Sequence, residues 1–330
     1  MMKLYIIGNG FDRHHNMPTG YNDYYKFLNN SYPSSIKEFE SFKYIKGYDC
    51  EDIRWTDLEK ALTLDAENLI TDFINDYYPD PSSDSDYTYD EMRVEIENIT
   101  QFIYNFTGLY FLEWIKSIIP SEYNVDYHLN LDSASLFITF NYTDTLESLY
   151  QIPSENILHI HGKNSDELSS KIIGGNSYHP AKTIEEAELF DPIPIPPINN
   201  HSVHSEIQFG STQNDPKIIK KNLERKYLDD DFYGASISQG VNEIEKYCNA
   251  SYKDLKANYP VLKEFITNKS ITEVVIMGHS FDGIDEPYYS DILVPAFQDI
   301  KWTFYIHSDN EEYLSFVKKY DIINHSYVSW

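Results

Sequence analysis

A short apolar run that ends in a glycine turn constrains the fold of this chain more than any other stretch. Leu4 to Ile7 are apolar and favour β-structure, and Gly8-Asn9-Gly10-Phe11-Asp12 follows at once. A wholly apolar strand belongs in a sheet that is covered on both faces, and the N–H groups of a glycine turn can face a phosphate. The stretch predicts a buried parallel strand and a nucleotide-binding turn. Because it matches only the first half of a G-x-G-x-x-G motif, a plain strand-to-loop turn is the alternative.

Two later stretches repeat this design. Leu136 to Phe140 lead into Asn141, and Val274 to Met277 lead into Gly278-His279-Ser280. Further strands are predicted at 157–160, 172–173 and 302–306, with helices between the strands. This alternation predicts an α/β fold of the Rossmann-like, doubly wound type with a mostly parallel sheet. In such folds ligands bind beyond the carboxyl ends of the strands.

Helical patterns occupy most of the remaining chain. Apolar residues recur at three- and four-residue spacing over 53–73 and again over 91–119, which predicts two long helices. We interpret residues 31–130 as a helical insertion or cap within one domain that spans 1–330. Residues 190–268 are interpreted as a proline-rich loop and a second helical region.

Charge and composition exclude several classes of protein. Lys+Arg 26 against Asp+Glu 53 gives a net charge of −27, which disfavours nucleic acid and anionic membranes as partners. The two cysteines, Cys50 and Cys248, form neither a metal motif nor a disulfide framework. The sequence opens directly on a strand without a signal-peptide pattern, and no apolar run reaches the roughly 20 residues of a membrane span. We therefore expect a cytoplasmic protein without a membrane partner.

Polar residues at two strand ends are candidates for chemistry. Asn141 can bind a ribose hydroxyl or hold a water, with Thr139 and Asp144 beside it, although a turn asparagine that bonds its own backbone has the same pattern. His159 and His161 lie on the same face of a strand. A metal site would need further ligands, and the other histidines lack ligand spacing. A general base or ribose contact at His161 is therefore favoured, with no metal.

Gly278-His279-Ser280-Phe281-Asp282 is open to two interpretations. It resembles the nucleophile turn of a serine hydrolase, but Asp282 stands where that motif has its last glycine, and only about fifty residues follow for the acid and the histidine. The favoured interpretation is a ligand-facing turn that uses Gly278, His279, Ser280, Asp282 and also Asp285.

Several of these motifs together resemble the bacteriophage abortive infection AbiH-like family. They are Ile7 to Asp12 with Pro18-Thr19 and Tyr21, Trp55 to Glu59, Phe140 to Glu147 with His161-Gly162, and Gly278 to Asp282 with Asp285, Pro287 and Tyr288. The family in turn is similar to the sirtuin-like NAD-binding fold. That resemblance implies a catalytic pair of Asn141 and His161. It also implies a nucleotide bound by Gly8, Asn9, Gly10, Phe11 and Asp12.

The resemblance implies a phage-defence effector, most simply a glycohydrolase of NAD or a related nucleotide that needs no other cofactor. Cleavage of the nicotinamide–ribose bond gives the ribose oxocarbenium character, so a base, a placed water and a held ribose suffice. A non-catalytic nucleotide-binding sensor is the main alternative. A nuclease or RNA-directed toxin and a serine hydrolase using Ser280 are lesser ones. A self-toxic activity would require a gate, such as homo-oligomer assembly or a phage-derived trigger.

Overall fold

The computed structural model describes residues 2–76, 94, 98, 102–103, 105–123, 128–163, 208–227, 234–281, 283–306 and 311–330. Its centre is a sheet of six parallel strands in the order β3-β2-β1-β4-β5-β6. The strands are β1 (Met2–Ile7), β2 (Leu136–Thr139), β3 (Ile157–His159), β4 (Ile271–Met277), β5 (Lys301–Ile306) and β6 (His325–Ser329). The predicted α/β, Rossmann-like fold is confirmed, and the sheet is entirely parallel.

The apolar run that opens the chain lies at the centre of the sheet. Leu4 pairs with Leu136 of β2 on one side and with Val274 of β4 on the other. Most residues of these strands are apolar, as expected where both faces of a sheet are covered. Strand order reverses between β1 and β4, and ligands of such folds bind in the crevice at that point.

Helices cover the sheet and also form a hydrophobic cluster of their own. Between β1 and β2 the described helices are α1 (Asn9–His14), α2 (Tyr21–Ser31), α3 (Pro33–Ser41), α4 (Lys46–Asp49), α5 (Glu51–Arg54), α6 (Leu58–Ala61), α7 (Ala66–Asp76) and α8 (Tyr110–Ser117, preceded by a π-helical turn at Asn105–Leu109). Between β2 and β3 lies α9 (Thr145–Ser148), and between β3 and β4 lie α10 (Pro216–Tyr227), α11 (Gly234–Ser251) and α12 (Tyr259–Ile266). The remaining helices are α13 (Glu286–Tyr288), α14 (Val294–Phe297) and α15 (Glu311–Lys319). Within the described residues, every helix falls short of the length and apolarity that a bilayer span requires.

The single helix predicted over 53–73 is wrong, because the chain breaks there into three. Asp57 caps α6 by accepting a hydrogen bond from Lys60 N, and Asp65 accepts one from Asn68 N in the first turn of α7. Leu64, between these helices, forms an isolated bridge with Ile45. The apolar spacing across the segment was correct, but local caps restart the helix twice.

The sequence did not predict β6. Its residues are mostly exposed and polar, so they carry neither the apolar run nor the alternation of a half-buried strand. The strand that was predicted at 172–173 and the proline-rich loop at 191–200 lie outside the described residues.

Candidate active site

Predicted site residues follow four neighbouring strands at one edge of the sheet. Gly8 follows β1, and His279 follows β4 across the switch point. Asn141 and His161 come after the next two strands, β2 and β3. Parallel strands end at the same edge, so these residues surround the crevice in which Rossmann-like folds bind ligands.

The turns after β1 and β4 pack directly against each other. Gly8 N donates to Met277 O over 3.0 Å, and Gly10 N donates to Gly278 O over 2.7 Å. Gly278 has a φ of 64°, and a β-carbon on it would lie 2.2 Å from Phe11 N, so the position requires glycine. These N–H groups have partners inside the protein, and Phe11 N donates to Gly8 O as well. A phosphate here would need other donors.

Asp12 is a buried carboxylate among uncharged polar groups. Its Oδ2 accepts a hydrogen bond from Thr143 Oγ1 at 2.6 Å, and Thr145 Oγ1 lies 3.0 Å from the Thr143 hydroxyl. Burial raises the pKa of Asp12 to about 6, and the like charge of Asp144 adds to this. Among the described residues its Oδ1 has no hydrogen-bond partner. Asp12 can therefore exchange a proton close to neutral pH.

Asn141 presents one free oxygen. Its Nδ2 donates to Gly8 O at 3.1 Å, and its backbone N donates to Thr139 Oγ1 at 3.1 Å. Since a carbonyl oxygen only accepts, the first contact fixes the orientation of the amide and leaves Oδ1 as an acceptor. This Oδ1 is buried and without a partner in the described part of the chain.

His161 is held by Asp285. The His161 Nε2 lies 2.9 Å from Asp285 Oδ1, and the ring is 1% exposed. Although burial raises the pKa of Asp285, Lys253 and His161 outweigh it and hold that pKa well below its usual range. Asp285 is therefore ionised and accepts, so Nε2 carries the proton and Nδ1 keeps a lone pair. Nδ1 is buried and has no partner within the described ranges.

Lys253 and Glu59 complete a buried ionic network with Asp285. The Lys253 Nζ lies 2.9 and 3.1 Å from the two Glu59 oxygens and 3.2 Å from Asp285 Oδ1. Burial raises the pKa of Glu59 to about 7, and the nearby charge of Asp285 contributes to this rise. One ammonium thus serves two carboxylates, and the one bonded to His161 stays ionised.

His279 borders the same network. Its Nδ1 lies 2.9 Å from the Tyr289 hydroxyl, and its Nε2 lies 3.8 Å from Asp285 Oδ2. Burial lowers the pKa of His279 to about 4, so its ring is neutral at pH 7. Phe140 lies between the two histidines, with its ring centroid 4.0 Å from that of His279 and 5.4 Å from that of His161.

Four further predicted site residues are Asn9, Asp144, Ser280 and Asp282. Asn9 is exposed, and its side chain donates to Thr19 O at 2.9 Å. Ser280 is exposed and donates to Glu312 Oε1 at 2.9 Å, rather than to a histidine as a serine nucleophile would. Asp144 begins α9 without a side-chain cap, and Asp282 lies outside the described residues.

Sequence reasoning missed Glu59, Lys253 and the role of Tyr142. Glu59 belongs to the Trp55–Glu59 motif, which indicated a family but no chemistry, and Lys253 follows α11 in no recognisable pattern. The Tyr142 hydroxyl lies 3.2 Å from Glu59 Oε1. These residues meet only through tertiary structure, so no local spacing could have grouped them.

In the described part of the chain, potential metal ligands do not cluster, and a cavity lies elsewhere than at the predicted site. Among the described residues, no group of three His, Cys, Asp or Glu side chains could hold a metal ion. A cavity of about 510 Å³ opens in the helical region, away from the strand ends. Its lining includes Lys43, Lys46, Asn68 and Lys226 but none of the predicted site residues.

Comparison with known proteins gives one family-level finding. The family model described as bacteriophage abortive infection AbiH matches residues 4–306 of the 330-residue chain. Of the described strands, the matched span includes β2 to β5 and most of β1, and it includes the Asp12, Asn141, His161, Lys253 and Asp285 positions. Among curated proteins, no match to the chain is found.

Proposed function

Because the chain belongs to the bacteriophage abortive infection AbiH family, and so has a role in abortive infection, we propose that it is a nucleotide glycohydrolase that cleaves NAD or a related nucleotide. The observation that carries this proposal is the state of His161. Its Nε2–H is committed to Asp285, which leaves a lone pair on a buried Nδ1 at the carboxyl edge of a Rossmann-like sheet. A neutral imidazole in that arrangement is a general base.

The proposed reaction uses few groups. The bond between the ribose carbon and the nicotinamide nitrogen breaks, and nicotinamide leaves as a neutral molecule with the electron pair. Water then adds to the ribose carbon and releases a proton, which gives ADP-ribose. His161 would polarise a ribose hydroxyl or the attacking water, and a positioned base of this kind contributes roughly 10²–10⁴-fold to rate.

Asn141 would place the water or a ribose hydroxyl. Its Oδ1 can accept a hydrogen bond because Nδ2 is already committed to Gly8 O. Asp12 Oδ1 is likewise without a partner in the described residues, and its pKa of about 6 allows it to donate or accept. Both groups would contact the ribose part of a nucleotide, whereas the diphosphate would depend on donors other than Gly8 N, Gly10 N and Phe11 N.

Access to this site requires a movement. His161 and Asn141 are 1% and 7% exposed, so a nucleotide can reach them only when neighbouring groups separate. Closure of an active site in the resting state suits a self-toxic activity, since NAD in an uninfected cell would otherwise be consumed.

The test is release of nicotinamide and ADP-ribose from NAD by the purified protein. Asn141→Ala and His161→Ala should each reduce turnover by about 10²-fold or more. His159→Gln is the matched control, because His159 is the last residue of β3, two residues before His161, and pairs with Glu147 at 2.9 Å instead. Turnover that survives in both site variants would refute the assignment of this site.

A nucleotide-binding sensor without catalysis is the second candidate. It is favoured by the absence of any hydrogen bond between Asn141 and His161 in the described structure, where each side chain has a different partner. Thermal stabilisation of the protein by a nucleotide that is recovered intact would support the sensor over the enzyme. Loss of activity in Ser280→Ala alone would instead point to a serine hydrolase, and cleavage of RNA or DNA to a nuclease.

A further inference from the structure

Lys253 is a buried cation that the proposed reaction does not use. Its side chain is 1% exposed, and its ammonium contacts Glu59 and Asp285. A lysine without water must be compensated by close opposite charges, and such a group is rare outside functional or structural ion networks.

The surrounding backbone fixes the position of Lys253. The residue before it, Tyr252, forms a parallel bridge with Ser211, and Lys253 N donates to Ser211 O over 3.2 Å. A β-carbon on Gly210 would lie 2.1 Å from Ser251 O, so this close crossing of two segments requires glycine. Asn214 Nδ2 donates to Ser251 Oγ at 2.8 Å and stabilises this crossing.

The ammonium of Lys253 acts on His161 through Asp285. Asp285 Oδ1 is shared by the His161 Nε2 at 2.9 Å and the Lys253 Nζ at 3.2 Å. The positive charge favours the ionised carboxylate, which accepts from Nε2–H. The same charge opposes a second positive charge on the imidazole. Among the described residues, the other titratable groups that face His161 are His279, Tyr142 and Tyr288, and Glu59 lies beyond Lys253.

We propose that Lys253 is a positioning residue of this site, which holds Asp285 as the acceptor for His161 Nε2–H and so keeps Nδ1 as the free base. Its effect on activity rests on the proposed glycohydrolase function. Its effect on the protonation state of His161 does not rest on that function. The two effects can therefore be refuted separately.

The first experiment measures the imidazole nitrogens of His161 by NMR in the full-length protein. In the wild type at pH 7 the ring should be neutral, with the proton on Nε2. In Lys253→Met the pKa of His161 should rise, because the opposing ammonium is gone and Asp285 remains as the partner of an imidazolium. Lys246→Met is the matched control, since Lys246 lies on the preceding helix and pairs with Glu243 at 2.7 Å near the surface.

A wild-type ring protonated on Nδ1 at pH 7 would overturn the proposal. An unchanged pKa and tautomer of His161 in Lys253→Met would do the same. The wild-type measurement keeps the test decisive if Lys253→Met does not fold. Glu59→Gln adds a further check, because it keeps Lys253 beside Asp285 and should leave the proton on His161 Nε2.

The second experiment measures nicotinamide release from NAD. Lys253→Met should lower kcat by about tenfold at pH 7 with little change in KM, because Lys253 touches the base-orienting carboxylate rather than the substrate. The loss should shrink as the pH is raised and His161 becomes neutral again. An equal loss at every pH, with the NMR of His161 unaltered, would assign Lys253 a purely structural role. Absence of activity in the wild type would refute the glycohydrolase, and the NMR result would still decide the role of Lys253.

Discussion

Asp12 and Asp285 are two carboxylates at the same edge of the sheet, and they differ in the charges around them. Asp12 is surrounded by hydroxyls and an amide, and burial raises its pKa to about 6. Burial also raises the pKa of Asp285, but Lys253 and His161 outweigh it and hold that pKa well below the usual range. The difference teaches that burial acts on both carboxylates, and that the neighbouring cation decides which of them has a lowered pKa.

The two carboxylates therefore make the stability of the fold depend on pH in opposite directions. The folded protein binds a proton at Asp12 more tightly than the unfolded chain, whose pKa is 3.8, so this contribution is fully present below pH 3.8 and is lost as the pH rises through about 6. The contribution of Asp285 depends on pH in the opposite way. Its depressed pKa contributes stability above its unfolded pKa of 3.8, and that stability is lost as the pH falls.

Removing the carboxylate with the lowered pKa should have the largest effect. Asp285→Ala leaves Lys253 with Glu59 alone and removes the acceptor of His161, so we expect a loss of about 3–5 kcal/mol in the free energy of unfolding at pH 7. Urea denaturation measures it. Asp291→Ala, at an exposed carboxylate that accepts from the Tyr259 hydroxyl, is the control and should cost less than about 1 kcal/mol. Equal losses in the two variants would mean that the buried network contributes nothing beyond a surface contact.

Neutralising Asp12 should stabilise the protein. Asp12→Asn keeps an oxygen for the Thr143 hydroxyl and abolishes the penalty of a buried charge, which amounts to at most about 3 kcal/mol for a pKa that moves from 3.8 to about 6. The gain should be present at pH 8 and absent at pH 4, as measured by unfolding across that range. Asp299→Asn, at an exposed position, should show no such dependence. A pH-independent gain in Asp12→Asn would contradict the raised pKa.

Removing the hydroxyl that faces Asp12 should have the smallest effect. Thr143→Val deletes the 2.6 Å contact to Oδ2, which we expect to cost about 2 kcal/mol at pH 8 with Asp12 ionised and about 1 kcal/mol at pH 5 with it mostly protonated. Unfolding at both pH values measures it. In the Asp12→Asn background the dependence on pH should vanish, and its persistence there would assign it to another group.

The sequence predicted the parts of the fold that local pattern encodes. The apolar runs of β1, β2 and β4 can be satisfied only inside a covered parallel sheet, and they identified its centre. The exposed β6 strand is defined by pairing with β5 rather than by its own residues, so pattern missed it. The caps at Asp57 and Asp65 likewise outweighed the apolar periodicity over 53–73.

The site was predictable where strand ends define it and unpredictable where distant segments meet. Asn141, His161 and His279 each stand two residues beyond the end of a strand, so topology alone brings them to one edge. Glu59 and Lys253 are 194 positions apart in the chain and meet only after the helices pack. No local sequence pattern shows that a lysine will be buried between two carboxylates, because tertiary structure decides which residues become its partners.

The contact between the glycine turns sets how this crevice can open. Gly10 and Gly278 join the β1 and β4 turns by backbone alone, and neither turn can shift without breaking the 2.7 Å hydrogen bond between them. The two turns are thus held to each other, and we expect entry of a ligand to depend on movement of the segments where Glu59 and Lys253 meet Asp285. A movement that opens the site would then displace the segments that carry Glu59 and Lys253 while the two turns stay joined.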